Sequence, residues 1–138
     1  MRHEDTLITD TDRRRLRSYL QRAAHSGGPD MGRLAPLRNR VQDAKVVGST
    51  EVPSNVITMN SLVVLHNLDS GDHMTCRLAS PYEARQSPRN VSVSRPLGTA
   101  LLGKRVGQII RWPGGSRDRS LRIQQVLYQP EAAGDLHL

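Results

Sequence analysis

Residues 91–107 read VSVSRPLGTALLGKRVG, and this segment carries the strongest structural signal in the chain. Val91, Ser92 and Val93 alternate in character as a short strand does, because successive side chains of a strand point to opposite faces. Pro96 suits the first turn of a helix, where its missing N–H is not needed, and Gly103 suits the residue after a helix end. We therefore predict a strand followed by a small helix whose apolar members are Leu97, Ala100, Leu101 and Leu102.

Strand patterns surround this segment on both sides. Downstream, residues 108–112 and 121–128 flank Pro113-Gly114-Gly115-Ser116, which is typical of a β-hairpin turn. Upstream, the β-rich runs are 56–58, 62–65 and 74–79, and a polar turn at 67–72 joins the last two. One small helix against about five mostly antiparallel strands is an α+β domain.

The first 50 residues have helical periodicity instead. Capping groups at Thr9, Asp10 and Asp12 precede an amphipathic run that contains Leu16, Tyr19, Leu20, Ala23 and Ala24. After a loop with two glycines and a proline, a coiled-coil spacing recurs at Leu34, Leu37, Val41 and Ala44. Pro36 then fits only if this second helix begins near Leu34. We predict a short antiparallel helical hairpin whose arms, at about 1.5 Å per residue, reach only about 20 to 25 Å.

The boundary between the two patterns falls at Gly48-Ser49-Thr50-Glu51-Val52-Pro53, a helix stop followed by a linker. We predict a helical hairpin over residues 1–50 and an α+β domain over residues 51–138. A chain of 138 residues has room for one domain with such an appendage.

Composition limits the chemistry that the chain can perform. A single cysteine, Cys76, excludes an internal disulfide, and its alternating neighbours indicate a buried strand position. The chain has no Phe, one Trp and three Tyr, so few rings are available to stack on a ligand. Since no apolar run resembles a secretory signal or a membrane span, we expect a cytoplasmic protein without a membrane partner.

No catalytic signature is apparent. The glycines at 114 and 115 lack the spacing and the Lys-Ser/Thr ending of a phosphate-binding loop, and no serine lies in a nucleophile elbow. The five histidines include no pair at i and i+4, although His66 and His73 could face each other across a turn. We expect no catalytic residue, no metal, no cofactor and no small-molecule substrate.

Positive charge is concentrated in the helical hairpin. The chain has a formal net charge of +7, which suggests a partner that is acidic or carries phosphates. Between residues 13 and 45 the basic side chains are Arg13, Arg14, Arg15, Arg17, Arg22, Arg33, Arg38, Arg40 and Lys45, against Asp30 and Asp43. This surface either is a solvated helical face or meets phosphates or carboxylates of a partner, and the sequence leaves both readings open.

Residues 94–104, Val106-Gly107 and Pro113-Gly114-Gly115 together resemble the C-terminal domain of the Gre transcription elongation factors. Residues 56–61 and the tail 128–135 are similar to a related bacterial group, the regulators of nucleoside diphosphate kinase. The resemblance covers residues 52–138 well and the hairpin more loosely. It implies an FKBP-like fold for the second part of the chain.

The resemblance also implies a partner. Gre factors insert a long coiled coil into the secondary channel of RNA polymerase, while their C-terminal domain holds the channel rim. The loop before the small helix contacts the polymerase in that family, and here it corresponds to Ser94, Arg95 and Pro96. Acidic residues at the coiled-coil tip help to hold a second Mg²⁺ for transcript cleavage, whereas residues 25–32 of this chain contain one acid, Asp30.

We therefore expect a non-catalytic RNA polymerase-binding regulator that docks at the secondary-channel rim, competes with Gre factors and does not cleave transcripts. The alternative is a nucleic-acid-binding module whose basic hairpin contacts RNA or DNA phosphates. An FKBP-like fold also suggests prolyl isomerase activity, but such sites are lined with aromatic side chains that this chain lacks. An effect on nucleoside diphosphate kinase would then be indirect, through transcription.

Overall fold

The computed structural model describes residues 6–25, 32–114 and 117–136. In chain order, its elements are β1 Leu7–Thr9, α1 Asp10–His25, α2 Ala35–Asp43, β2 Lys45–Val47, β3 Leu62–Asn67, β4 His73–Ala79, α3 Pro81–Ala84, β5 Asn90–Ser92, α4 Pro96–Leu101, β6 Ile109–Gly114, β7 Arg117–Tyr128 and α5 Pro130–Ala133. No helix within these ranges is both long and apolar enough to cross a membrane.

Five of the strands form one sheet in the order β5-β4-β3-β7-β6. β5 runs parallel to β4, and the other neighbouring pairs are antiparallel. Gly114 pairs with Arg117, so β6 and β7 are antiparallel neighbours on either side of the predicted turn, whose Gly115 and Ser116 lie outside the described residues. The α+β fold predicted from the sequence, with five mostly antiparallel strands and a small helix after the strand at residue 91, is confirmed.

The core lies between the inner face of the sheet and α4. The inward side chains alternate along the strands, as the two-residue period of a strand requires. Leu101 and Leu102, at the end of α4, join this core with less than 2 % of their surface exposed. The buried residues that the five-stranded sheet contributes to the same cluster are Val63, Leu65, Cys76, Leu78, Ile110, Leu121 and Ile123. The predicted burial of Cys76 is therefore confirmed.

Helices α1 and α2 form the short arm that the helical periodicity predicted. Thr9 caps α1, since its Oγ1 accepts the Asp12 backbone N–H at 3.1 Å. Pro36 lies in the first turn of α2, where it is tolerated. We call the five-stranded sheet together with α4 the sheet domain. Its core shares one hydrophobic cluster with the apolar residues on the facing sides of α1 and α2, which are Leu16, Leu20, Leu34, Leu37, Val41 and Ala44. The arm is thus held by shared apolar packing, because nine residues of α2 form too short a helix to be stable alone.

A second, two-stranded sheet at the base of the arm was not predicted. β1 pairs with β2 in parallel, with Leu7 opposite Lys45 and Thr9 opposite Val47. Local periodicity did not reveal these three-residue strands, because their partners lie 38 residues apart in the chain. The Leu7 N–H also donates to the Gly103 carbonyl at 3.1 Å, so this sheet connects the arm to the end of α4.

The strand predicted at residues 56–58 was wrong. Within this segment only Val56 forms a β-bridge, to Arg105, and no ladder extends from it. Val56, Ile57 and Thr58 are nevertheless 0–1 % exposed. Their β-branched side chains therefore reflect burial in the core, which a propensity for strands cannot distinguish from strand pairing.

Candidate binding surfaces of the sheet domain and the arm

The loop that precedes α4 presents Arg95 and Pro96 to solvent. Pro96 is the first residue of the helix, and Arg95 is its N-cap position, with no side-chain hydrogen bond at the cap. Ser94 is half-buried: its backbone N–H donates to Ser92 Oγ at 3.2 Å, and the two hydroxyl oxygens lie 2.7 Å apart. The three residues predicted to contact a partner therefore form one continuous loop with an exposed Arg-Pro pair.

This loop is held in place by α4 beneath it. Thr99 Oγ1 donates to the Val93 carbonyl at 2.7 Å, and the Thr99 N–H donates to the Arg95 carbonyl at 2.9 Å. A Cβ added to Gly98 would lie 1.9 Å from the Ser92 carbonyl oxygen, so only glycine permits this approach of helix and strand. Arg95 and Pro96 are thus presented on a rigid frame.

Three arginines of the arm converge on a groove between its two helices. Arg13 and Arg17 of α1 and Arg38 of α2 line this groove of about 320 Å³, together with Leu20 and Val41. Since each arginine has several N–H donors and cannot be deprotonated in proteins, the groove is positive at any physiological pH. Arg14 lies beside Arg13 and Arg17 on a separate, exposed surface of α1 that Asp10 also lines.

The other basic residues of the arm do not share this groove. Arg22 lies in the last turn of α1, where its Nη1 donates to Ser18 Oγ at 2.7 Å. Arg33 is exposed before α2. Arg40 is half-buried and donates through Nη1 to Thr6 Oγ1 at 3.2 Å, and burial lowers the pKa of its guanidinium. Asp30, the predicted acid of the hairpin tip, lies outside the described residues.

A buried carboxylate, which the sequence suggested only as a helix-capping group, links the arm to the sheet domain. Asp12 is 2 % exposed, and its Oδ2 accepts the Met59 backbone N–H at 3.0 Å. Burial raises the pKa of Asp12 from 3.8 to about 6, the Met59 N–H opposes this shift, and the charge of Glu131 adds to it. Glu131 itself accepts a hydrogen bond from Thr58 Oγ1 at 2.7 Å.

In the described part of the chain, the side chains that could carry acid–base or metal chemistry come together at most in pairs. His66 and His73 do face each other, with parallel rings whose centroids are 4.3 Å apart. Among the described residues, no three His, Cys, Asp or Glu side chains are grouped closely enough to hold a metal ion. Burial raises the pKa of the Cys76 thiol to about 11, which disfavours the reactive thiolate.

Comparison with known proteins identifies the family. The family model described as "Transcription elongation factor, GreA/GreB, C-term" matches residues 52–128. A solved structure described as a prokaryotic transcription elongation factor GreA/GreB from Nitrosomonas europaea is 30 % identical and has a TM-score of 0.72. The match covers 90 % of this chain and 98 % of that one. The chain therefore belongs to the GreA/GreB transcription elongation factor family.

The chain is also similar along most of its length to a second kind of protein. It is 39 % identical over 132 residues to the regulator of nucleoside diphosphate kinase of Escherichia coli (strain K12). This match covers 94 % of this chain and 93 % of that protein. The transcription elongation factor GreA of Thermosipho africanus is 31 % identical over 94 residues, or 68 % of this chain and 59 % of GreA. The resemblance predicted from residues 52–138 is confirmed.

Proposed function

We propose that this protein is a regulator of transcription that binds RNA polymerase at the rim of the secondary channel, competes there with Gre factors and does not cleave transcripts. The observation that carries the proposal is the exposed Arg95-Pro96 pair on its rigid frame, in a domain of the GreA/GreB family. An exposed arginine beside a fixed turn is the type of residue that anchors protein interfaces. We also propose that the chain divides into a helical hairpin over residues 1–50 and an α+β domain over residues 51–138.

The dimensions of the arm support binding without cleavage. α1 has 16 residues and α2 has nine, which correspond to lengths of about 24 Å and about 14 Å. An arm of this length brings few side chains to the active site of RNA polymerase. The segment 26–31, which connects α1 to α2 in the sequence, includes one acid, Asp30, and a single carboxylate leaves most ligand positions of a Mg²⁺ ion to other groups.

Retention of core RNA polymerase by the tagged intact chain tests the proposal. We expect the wild type to retain the polymerase and Arg95→Glu to weaken binding by about tenfold, because the change reverses a charge at the interface. Pro96→Ala is expected to weaken binding less, since it only loosens the first turn of α4. Arg122→Glu is the matched control, because Arg122 is an exposed arginine of β7. Two strands, β4 and β3, separate β7 from β5, the strand that precedes Arg95.

Two results would count against this proposal. One is a wild-type chain that does not retain the polymerase at low salt. The other is equal weakening by Arg95→Glu and Arg122→Glu, which would indicate general electrostatic attraction instead of a defined contact. Far-UV circular dichroism of each variant verifies that loss of binding is not loss of fold.

The groove between α1 and α2 supports a second candidate, a nucleic-acid-binding module. Arg13, Arg17 and Arg38 converge there, as residues that contact a phosphate backbone would. Binding of bare RNA should then weaken steeply with salt, because each neutralised phosphate releases a counterion. Arg38→Ala should lower the slope of log affinity against log salt by about 1, whereas Arg95→Glu should leave RNA binding within about twofold. A slope unchanged by Arg38→Ala would contradict this candidate.

A further inference from the structure

A larger groove lies on another side of the arm, between α1 and the segment that follows β4. Its volume is about 640 Å³, within the range of sites that bind small molecules. We call it the α1–α3 groove. Leu16 and Met59, which are 4 % and 7 % exposed, contribute to it from the hydrophobic core. Its two walls are the α1 face that carries Tyr19 and the short helix α3, which carries Tyr82.

Aromatic side chains are scarce in this chain and concentrated in this groove. The sequence contains no Phe, one Trp and three Tyr, and two of those three tyrosines line the groove. Tyr82 is 73 % exposed, so its ring contributes little to the core. A ring that remains in water at the mouth of an apolar groove is available to stack on a flat ligand.

The groove is also positively charged. Arg15 and Arg22 of α1 line it two helical turns apart, and Arg85 lines it from the end of α3. The one carboxylate in the lining, Glu83, belongs to a helix cap: its N–H donates to Ser80 Oγ at 3.2 Å, and its Oε1 accepts from that hydroxyl at 3.1 Å. The surplus of guanidinium groups therefore favours an anionic ligand.

The wall that carries Tyr82 is fixed before any ligand binds. Besides the cap, Asn90 Nδ2 donates to the Glu83 carbonyl at 2.9 Å, which ties α3 to β5. Asn60, at the base of the groove, has a left-handed backbone with φ of 71°. Its carbonyl accepts from Arg77 Nη1 at 2.9 Å, and its N–H donates to the Leu78 carbonyl at 2.7 Å. The backbone of the groove is therefore held in place before a ligand binds, which lowers the entropic cost of binding.

We propose that the α1–α3 groove binds a nucleoside di- or triphosphate. Exposed tyrosine and arginine side chains stack on nucleobases, and arginine pairs with phosphate oxygens through two parallel hydrogen bonds. A diphosphate concentrates its negative charge, which matches the neighbouring guanidinium groups of Arg22 and Arg85 in the groove lining. An acidic peptide spreads its charge along an extended backbone and presents no flat base to stack on the ring of Tyr82. The inference is independent of the polymerase-binding proposal.

Isothermal titration of the intact chain at low salt tests this inference with three probes: ADP, adenosine and inorganic pyrophosphate. We expect ADP to bind at least about tenfold more tightly than either fragment, because adenosine lacks the charge and pyrophosphate lacks the ring. Tyr82→Ala should weaken ADP binding by about tenfold, and Tyr82→Phe should retain it within about twofold because the ring is kept. Arg22→Ala should also weaken it by about tenfold.

Arg14→Ala is the matched control, because Arg14 lies on α1 but outside the α1–α3 groove. We expect this variant to bind ADP as the wild type does. The inference is overturned if about 1 mM ADP gives no binding signal. It is also overturned if pyrophosphate binds as tightly as ADP and Tyr82→Ala has no effect. The same holds if an acidic peptide, added as a fourth probe, binds in a Tyr82-dependent manner and ADP does not bind.

Discussion

Replacing Asp12 with asparagine should change how stability depends on pH. Asp12 is almost completely buried where the arm meets the sheet domain, and its pKa is raised from 3.8 to about 6. A raised pKa means that the folded protein binds the proton more tightly than the unfolded chain does. The neutral carboxyl therefore stabilises the fold fully below about pH 4, and this contribution is lost as the pH rises through about 6.

The size of this effect follows from the shift. One pKa unit corresponds to about 1.4 kcal/mol, so the shift at Asp12 corresponds to about 3 kcal/mol between pH 4 and pH 7. The asparagine side chain carries no charge at any pH, and its amide oxygen can still accept the Met59 N–H that Asp12 Oδ2 accepts at 3.0 Å. Relative to the wild type, Asp12→Asn should therefore gain up to about 3 kcal/mol of unfolding free energy as the pH rises from 4 to 7.

Urea denaturation of both proteins, followed by far-UV circular dichroism at half-unit pH steps from 4 to 8, measures this difference. Other titrating groups cancel in the comparison, except Glu131, whose repulsion by Asp12 is part of the effect. The difference should rise between pH 4 and 6 and stay constant above pH 7. A difference that is flat across the range, or that favours the wild type at high pH, would refute this explanation of the buried carboxylate.

Three further experiments test the packing. Gly98→Ala should destabilise the protein by about 3 kcal/mol in urea denaturation, because the new Cβ would lie 1.9 Å from the Ser92 carbonyl oxygen, whereas Gly32→Ala, where a Cβ meets nothing within 4 Å, should change stability by less than about 0.5 kcal/mol; equal effects would contradict the close approach. Gln129→Ala should cost about 3 kcal/mol, because it leaves two backbone carbonyls without their 2.8 Å donors, and an effect below about 1 kcal/mol would be inconsistent with those bonds. Cys76, 2 % exposed with a pKa of about 11, should react with a thiol reagent at pH 8 at least about 100-fold more slowly in the native protein than in urea, and comparable rates would argue against its burial.

The sequence predicted those parts of the fold that depend on local signals. Pro96 and Gly103 mark the ends of α4 because proline and glycine act on their own backbone, and Leu37 and Val41 are buried because helical spacing places them on one face. The pairing of β1 with β2 depends instead on contacts between residues far apart in the chain. Such contacts leave no periodic pattern in a strand of three residues.

The candidate sites divide in the same way. Arg95 and Pro96 could be identified from a motif, since the loop and its helix are contiguous in sequence. The α1–α3 groove could not, because Tyr19 and Tyr82 are 63 residues apart in the sequence and line the same groove only in the folded chain. The burial of Asp12 was equally hidden: its position near a helix start predicted a cap, whereas its carboxylate accepts a hydrogen bond from Met59, on the other side of the linker.

The most direct test of the proposed function is a competition assay on backtracked transcription complexes. Transcript shortening by a Gre factor in the presence of Mg²⁺ is measured as increasing amounts of this protein are added. We predict that the protein slows this shortening in a dose-dependent manner, that Arg95→Glu slows it much less, and that the protein alone shortens no transcript. Gre-stimulated cleavage that is unaffected by a large excess of the protein, or cleavage by the protein itself that Asp30→Ala abolishes, would contradict the proposal.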